Sequence, residues 1–407
     1  MRILVVGGKG FIGRHLALAL EREGHGVVRG GRPGMDFNRD VEPTAWARHL
    51  EGIDLVVNAA GLIAESRDQS FDAVHVRGPV ALFHACASRG VSVVQISALG
   101  ADADAATGFH RSKRDADDTL LGLAIPSAVL QPSLVYGEGG ASARLFAALA
   151  SLPLVPLPGD GRQRVQPVHV DDLAEAVARL VGAGQLRRER IAVVGPCGLT
   201  LRGFLADLRH AMGGRTARFV RVPMFLVRLA ARWGLGLLDR DTLAMLERGT
   251  TGDATRFREV LGRWPRAPRA FIPPERAPEV RRLAAVTNVR PLLIASIAFV
   301  WLATAAVSAG LYPVADSLQL LARVGLTGKH ALVALYGAAL LDLVMGIATL
   351  ALRRRRALWV TQAVLMLGYT AIITFALPEQ WLHPYGPVTK NLPMLAALWF
   401  LHATEER

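Results

Sequence analysis

The stretch Ile3-Leu4-Val5-Val6-Gly7-Gly8-Lys9-Gly10-Phe11-Ile12-Gly13 decides the fold of the N-terminal part of this chain. Apolar residues run straight into glycines, and an amphipathic segment over residues 11–23 follows at once. That order spells a buried strand, a tight turn and a helix start. Glycines at 7, 8, 10 and 13 let the backbone bend sharply and approach a pyrophosphate, which then rests on the helix N-terminus. Gly8, Gly10 and Gly13 fit G-x-G-x-x-G, whereas Gly7, Gly10 and Gly13 fit G-x-x-G-x-x-G. The plainer alternative is a strand-to-helix turn that holds no ligand, and the rest of the chain argues against it.

Residues 25–32 read as the second strand, and its end bears on cofactor choice. A site for NAD places Asp or Glu there, about 20 residues past the glycines, to hold the ribose hydroxyls. Positions 25–34 hold no acid but do hold Arg29 and Arg32, which suit a 2′-phosphate. NADP is therefore expected ahead of NAD; otherwise both arginines are ordinary surface charges. Residues 35–37 read as a short third strand and 43–50 as a helix with Pro43 in its first turn. A fourth strand over 53–58 runs into Asn58-Ala59-Ala60-Gly61. A long helix over 71–89, a strand over 91–97, a helix over 112–123 and a strand over 125–131 follow. Such alternation predicts an α/β fold, a Rossmann-type doubly wound parallel sheet.

These residues carry a resemblance to the short-chain dehydrogenase/reductase superfamily, in its extended or atypical branch. The matching pieces are Gly7-x-x-Gly10-x-x-Gly13, Asn58-Ala59-Ala60-Gly61, Ser97 and Lys113, then Gln131-Pro132-Ser133-Leu134-Val135-Tyr136-Gly137 and Gln166-Pro167-Val168-His169-Val170-Asp171-Asp172. Within the superfamily the chain most resembles the group of the nucleotide-binding accessory subunit of respiratory complex I. The resemblance implies that Gly7, Gly8, Lys9, Gly10, Phe11, Ile12 and Gly13 cradle the dinucleotide. It places Asp36 near the adenine, Asn58, Ala59, Ala60 and Gly61 along the adenosine, and Pro132, Ser133 and Val135 near the nicotinamide. It also implies a reductase set in which Ser holds the substrate carbonyl, Tyr donates its proton, and Lys lowers the Tyr pKa and holds the ribose. Ser97 and Lys113 are present, but the Tyr-x-x-x-Lys motif reads Phe109-His110-Arg111-Ser112-Lys113. Phenylalanine has no proton to give. His110 is the neighbouring substitute, although one helix position turns it about 100° from Phe109.

Of the 47 basic residues only four are lysines, and two of those precede residue 290: Lys9 in the glycine loop, and Lys113. An ammonium is a compact charge that fits among phosphate or ribose oxygens where a guanidinium fork does not. Lys9 is therefore a second expected contact to the 2′-phosphate or pyrophosphate. The net charge of +13 brings no basic patch with interleaved aromatics, so nucleic acid is not an expected partner. The two cysteines, Cys86 and Cys197, form neither a metal pattern nor a disulfide framework, which fits a reduced compartment and no metal.

Beyond residue 137 a smaller lobe is expected, mainly over 138–280, completing a nucleotide-binding domain over 1–280. It includes a helix over 139–151, a proline-punctuated connection over 152–158, a strand over 165–170, and a helix to residue 181 that Asp171 caps. A strand over 191–194 and a helix over 201–212 follow. Residues 221–238 set Arg221, Arg228 and Arg232 among Phe225, Leu226, Leu229, Trp233 and Leu237. They form either an ordinary packed helix or one lying in a lipid interface. Residues 266–290, rich in Pro and Arg, read as the approach to the membrane, with the linker proper at 281–290.

The mean hydropathy of +0.30 has its source in the C-terminal part. Residues 291–311, 331–352 and 357–377 are each long enough to cross ~30 Å of hydrocarbon, and 392–403 is a short fourth candidate. This all-α transmembrane bundle over 291–407 resembles the DoxX-like family, on Ala339-Leu340-Leu341-Asp342-Leu343-Val344-Met345-Gly346 and Lys390-Asn391-Leu392-Pro393. Arg353, Arg354, Arg355 and Arg356, with Arg281, Arg282 and Arg290, mark the cytoplasmic side. No signal peptide precedes the first strand, so the nucleotide domain is expected in the cytoplasm, held to the inner membrane. Asp342, in the middle of the second span, is a functional candidate because an ionisable group there is costly. Its candidate partners are Tyr336, Gln362, Tyr369, Lys390 and Asn391. Three readings follow: a membrane-anchored, NADP-preferring oxidoreductase for a lipid-soluble carbonyl or quinone-like substrate; a nucleotide-binding scaffold of a membrane complex of respiratory type; or, on Asp342 alone, a transporter-like DoxX partner regulated by NADPH.

Overall fold

The computed structural model describes residues 1–105, 107–232, 240–384, 386 and 388–405. The chain divides into two units, Met1–Ala285 and Val286–Arg407. The first opens as β1 (Arg2–Val6), α1 (Phe11–Arg22), β2 (Gly26–Gly30), α2 (Pro43–Trp46), β3 (Leu55–Asn58), α3 (Gly78–Ala87), β4 (Ser92–Ile96), α4 (Gly108–Gly122) and β5 (Ser127–Pro132). β6 (Val135–Tyr136), α5 (Ala141–Ser151), β7 (Leu154–Pro158), β8 (Arg164–Val165) and β9 (Val168–His169) lead to α6 (Val170–Gly182) and β10 (Glu189–Val193). β11 (Leu199–Thr200), α7 (Leu201–Ala211), β12 (Arg218–Val222), α8 (Met224–Arg232), α9 (Arg240–Arg248) and α10 (Thr255–Leu261) follow.

The sheet has the order β10-β5-β4-β3-β1-β2 with every neighbouring pair parallel, as the alternation predicted. Its strands are apolar at successive positions because both faces are covered. Ile3 and Val5 join Leu16, Leu20, Val177 and Phe257 under α1, α6 and α10. Leu4 and Val6 join Trp46, Leu82, Phe83 and Leu120 on the opposite face. Each such side chain contributes about 1.5–3 kcal/mol on burial. A third cluster, including Val155, Leu157, Phe204, Leu208 and Phe271, forms the small lobe.

Several expected elements differ. Residues 35–37 form no strand: the Asp36 N–H donates to Asp40 Oδ2 and its own Oδ1 accepts from the Asn38 N–H, the local bonding by which Asp competes with extended backbone. The helix expected over 71–89 begins as a wide π turn, Asp72–Arg77, before α3. Pro79 lacks the N–H for the i→i−4 bond there, which favours that local widening. Residues 152–158 are not a mere connection: β7 pairs in parallel with β12, and a two-stranded ribbon tolerates its prolines. The strand expected over 165–170 splits into β8 and β9. The cap of α6 is His169, whose Nδ1 accepts from the Asp171 N–H, rather than Asp171. Residues 281–290 are helical, inside α11 (Ala277–Ala306). Trp233 and Leu237 lie outside the described residues.

In the second unit α11 is followed by a π turn, Val307–Leu311, then α12 (Val314–Arg323), α13 (Gly328–Ala351), α14 (Arg356–Ala376) and α15 (Asn391–Thr404). Among the described residues three helical stretches are long and apolar enough to cross a membrane: Pro274–Leu311, Gly328–Ala351 and Arg356–Ala376. The 14 residues of α15 reach only ~21 Å. Ile297, Trp301, Trp359, Met366, Leu398 and Leu401 form the core of this unit. Glu405, just past α15, accepts from the Arg290 guanidinium, the Arg355 N–H and the Trp359 indole N–H. One carboxylate thus brings together the start of the apolar part of α11, the start of α14 and the end of α15.

Candidate functional site

The turn between β1 and α1 is built on close approach. Gly7 has φ +76°, and a Cβ there would stand 2.8 Å from the Ala60 nitrogen. A Cβ on Gly13 would stand 2.2 Å from the Gly7 carbonyl oxygen, so α1 packs onto the turn only with glycine there. The Gly10 N–H donates to that same carbonyl, at 2.9 Å. Gly10 is the N-cap of α1 and makes no side-chain cap bond, and the first turn holds no acid. The N–H groups of Phe11, Ile12 and Gly13 therefore open onto a cradle suited to an anion. Gly8 donates to the Val5 and Gly30 carbonyls, tying the turn to the sheet.

Asn58 closes the second loop from inside. Its Nδ2 donates to Gln95 Oε1 at 2.8 Å, and its Oδ1 accepts from the Ala60 N–H at 3.2 Å. The side chain is fully buried, so Asn58 shapes the Ala59–Ala60–Gly61 turn from beneath. At the end of β5, Pro132 accepts from the Leu99 N–H, and Ser133 Oγ donates to the Gln166 carbonyl at 2.5 Å. Val135 begins β6, paired with Val168.

Lys113 lies between these loops. Its Nζ donates to the Ala60 and Ile96 carbonyls, both at 3.3 Å. An ammonium has three donors, so one is left over. Burial pulls this lysine below its usual value, and Asp117, one turn along α4, opposes the shift. Asp117 was not anticipated. It is fully buried, accepts from Ser97 Oγ at 2.5 Å, and leaves Oδ1 without a partner among the described residues. Burial pushes its carboxyl up, against the Ser97 hydroxyl and Lys113. Ser97 is itself buried, and its hydroxyl is committed inward.

His75 was also not anticipated. The Leu62 N–H donates to its Nε2 at 2.9 Å, which leaves the proton on Nδ1, 3.0 Å from Ser112 Oγ. Ser112 passes its own proton to the Phe109 carbonyl. Burial, with the Lys113 charge adding to it, pushes His75 down to about 2, so it stays neutral. The Phe109 ring stands edge-on to His75 and Phe71, with centroids at 5.5 and 6.0 Å. His110 is buried, with Nδ1 3.0 Å from Thr107 Oγ1, and burial lowers its pKa. It is engaged with that helix cap.

The basic groups expected at a 2′-phosphate separate. Arg29 forks onto the Glu21 carboxylate, with Nη2 2.8 Å from both oxygens. The acid absent from 25–34 comes from α1. Arg32 and Lys9 are exposed and form no ion pair among the described residues. Asp36 is held in its own turn. The site carries no group of three or more metal-ligating side chains among the described residues.

In the second unit Asp342 is 3% exposed, with Oδ1 unpartnered among the described residues. Two of the candidate partners face elsewhere: Gln362 donates to Thr349 Oγ1 and Asn391 to Thr370 Oγ1. Tyr336 is 47% exposed and Lys390 is exposed.

Residues 3–195 match the NAD dependent epimerase/dehydratase family, and residues 298–399 match the DoxX-like family. A ceramide reductase of Caulobacter vibrioides is 26% identical over 234 residues, covering 54% of this chain and 73% of that protein. Subunit 9 of the NADH dehydrogenase [ubiquinone] 1 alpha subcomplex of Arabidopsis thaliana is 25% identical over 248 residues, 56% of this chain and 61% of that one. The UDP-glucuronic acid 4-epimerase of Bacillus cereus, solved with UDP-glucuronic acid and NAD, superposes with a TM-score of 0.53. It is 18% identical, and the match covers 70% of this chain and 100% of that one, a likeness of fold.

Proposed function

Because the chain joins a domain of the NAD-dependent epimerase/dehydratase family to a DoxX-like domain, we propose that it is a membrane-anchored, NADP-preferring oxidoreductase acting on a lipid-soluble carbonyl or quinone-like substrate. The observation that carries this reading is the buried Lys113 ammonium, which meets two backbone carbonyls and has one donor left beside the Gly61 loop. A buried cation with a free donor has no packing rationale, whereas a ribose hydroxyl completes it. The cradle of Gly7, Gly10 and Gly13 fits the pyrophosphate, and the bond from the Gly8 N–H to the Gly30 carbonyl ties the turn that carries Lys9 to the end of β2, which Arg32 follows, so both are offered to a 2′-phosphate. When bound, the dinucleotide supplies or accepts hydride at its nicotinamide. The chain's own part is to hold it: Lys113 fixes the ribose, and Pro132, Ser133 and Val135 line the nicotinamide side. Phe109 gives no proton, so the product oxygen takes one from water, or from Ser97 once its hydroxyl turns from Asp117. The name of the ceramide-reducing relative supports a lipid carbonyl as substrate. The arginines at 281, 282, 290 and 353–356 support an inner-membrane protein with the nucleotide unit on the cytoplasmic side.

A second reading, a nucleotide-binding scaffold in a respiratory-type membrane complex, draws on Phe109 and on the inward Ser97 hydroxyl. The complex I relative adds to it. One experiment separates them: NADPH oxidation by the purified chain in nanodiscs against ceramide-type ketones, lipid aldehydes and quinones. The enzyme reading expects turnover that Lys113→Ala abolishes and that Phe109→Tyr raises about tenfold or more, below the roughly 10²–10⁴-fold of a well-placed acid. Tight NADPH binding without turnover across the panel would replace it with the scaffold.

A further inference from the structure

We propose that the surface made by β12 and α8 docks on anionic phospholipid, with the outward face of α8 set among the acyl chains. Residues 208–238 contain six arginines, at 209, 215, 218, 221, 228 and 232, and no Asp or Glu. Within this basic run α8 turns large apolar side chains outward: Phe225 is 68% exposed, Leu226 44% and Leu229 50%. Positions 225, 229 and 232 fall on one helical face, so Phe225 and Leu229 share theirs with Arg232. The inward positions are Val227 and Ala231. Arg218, Arg221 and Arg232 form no ion pair among the described residues, whereas Arg228 is held by Glu247. The apolar surface continues onto the adjoining ribbon. In its parallel register Leu154 lies opposite Arg218 and Pro156 opposite Val220, which puts exposed Leu154 and Val220 on the same sheet face.

A group of large apolar side chains facing water marks an interaction site. The interleaving of apolar groups with uncompensated arginines selects the partner. Phosphate headgroups take the guanidinium forks, and the hydrocarbon just beneath takes Phe225 and Leu229. Each arginine near an anionic leaflet adds to the attraction. The same chain carries three helices long and apolar enough to cross a membrane, which makes a lipid partner the natural one to test. The inference does not depend on catalysis and stands whichever reading of the nucleotide site holds.

The test uses the full chain in nanodiscs, with Cys197→Ser to leave only buried Cys86, and an environment-sensitive fluorophore on Leu229→Cys. In discs containing phosphatidylglycerol the label should be quenched by acyl-chain nitroxides and shielded from iodide. Reversing charge at Arg218, Arg221 and Arg232 to Glu, or using phosphatidylcholine alone, should cut nitroxide quenching by about twofold or more. A label on exposed Leu18→Cys in α1 should stay open to iodide throughout, and unchanged unfolding midpoints exclude misfolding. Iodide access at position 229 in both lipids overturns the proposal. Shielding without nitroxide quenching also overturns it, because it means a protein partner or a second copy.

Discussion

Ser97 illustrates how one hydrogen bond redirects a residue's role. Its position after β4 marked it for a substrate carbonyl, yet its proton points at Asp117, a fully buried carboxyl with Lys113 beside it. Removing that hydroxyl leaves a buried carboxyl with one donor fewer, a change worth about 1–3 kcal/mol. Ser97→Ala should therefore lower the unfolding midpoint of the purified chain, and Ser97→Ala with Asp117→Asn should recover part of the loss. An unchanged midpoint for the single variant would show that the bond does not hold the fold. The glycines, Lys113 and Phe109 were legible in the sequence because their chemistry is local: a backbone angle, a scarce ammonium, an absent hydroxyl. Asp117 and His75 were not. Asp117 sits one helical turn from Lys113 on the same face of α4, a spacing that was available, but the Ser97 partner is 20 residues away and only the sheet brings it close. The Glu21 partner of Arg29 was hidden for the same reason, since α1 meets β2 only through the fold.

Elements are held at their ends by groups that the hydrophobic pattern does not disclose. His15 on α1 faces two acceptors, Asp171 Oδ1 at 3.0 Å and the Glu138 carbonyl at 3.2 Å, and so favours its doubly protonated form. The bond to Asp171 raises its pKa above 6.5. A raised folded-state value means that the stabilisation is fully present below pH 6.5 and is lost as pH rises through the folded pKa. His15→Gln should thus melt below the unaltered protein at mildly acid pH, with the gap closing toward alkaline pH; a gap independent of pH would rule out this linkage. Strand and helix order was readable from periodicity, but the π turn before Pro79, the Asp36 turn and the ribbon of β7 with β12 were not. The ribbon pairs strands far apart in the chain, and the π turn and the Asp36 turn rest on a missing proline N–H and on local side-chain bonds that a hydrophobic pattern does not register. In the second unit Glu405 joins Arg290, Arg355 and Trp359, so α14 starts on the side where α15 ends. Reporter fusions after Arg356 and after Arg407 should give the same cytoplasmic signal. Opposite signals would mean that α15 does not return across the bilayer.

At the scale of the whole molecule, a nucleotide domain and a membrane domain share one chain, and cofactor choice ties charge to fold. With Arg29 held by Glu21, any preference for NADPH rests on Arg32 and Lys9. Calorimetry should give NADPH an affinity at least several-fold above NADH, and Arg32→Ala with Lys9→Ala should erase the difference, about 1.5–3 kcal/mol for each charge-assisted bond. Equal affinities in the unaltered protein would remove the 2′-phosphate from the account. The Glu405 junction has a further consequence, which concerns time. Its carboxylate is synthesised 115 residues after Arg290. The Arg290 guanidinium and the Trp359 indole are thus both made before the acceptor they share. The polar junction therefore closes only after α15 has been made, and a chain cut before Glu405 leaves the Arg290 guanidinium, the Arg355 N–H and the Trp359 indole without that carboxylate.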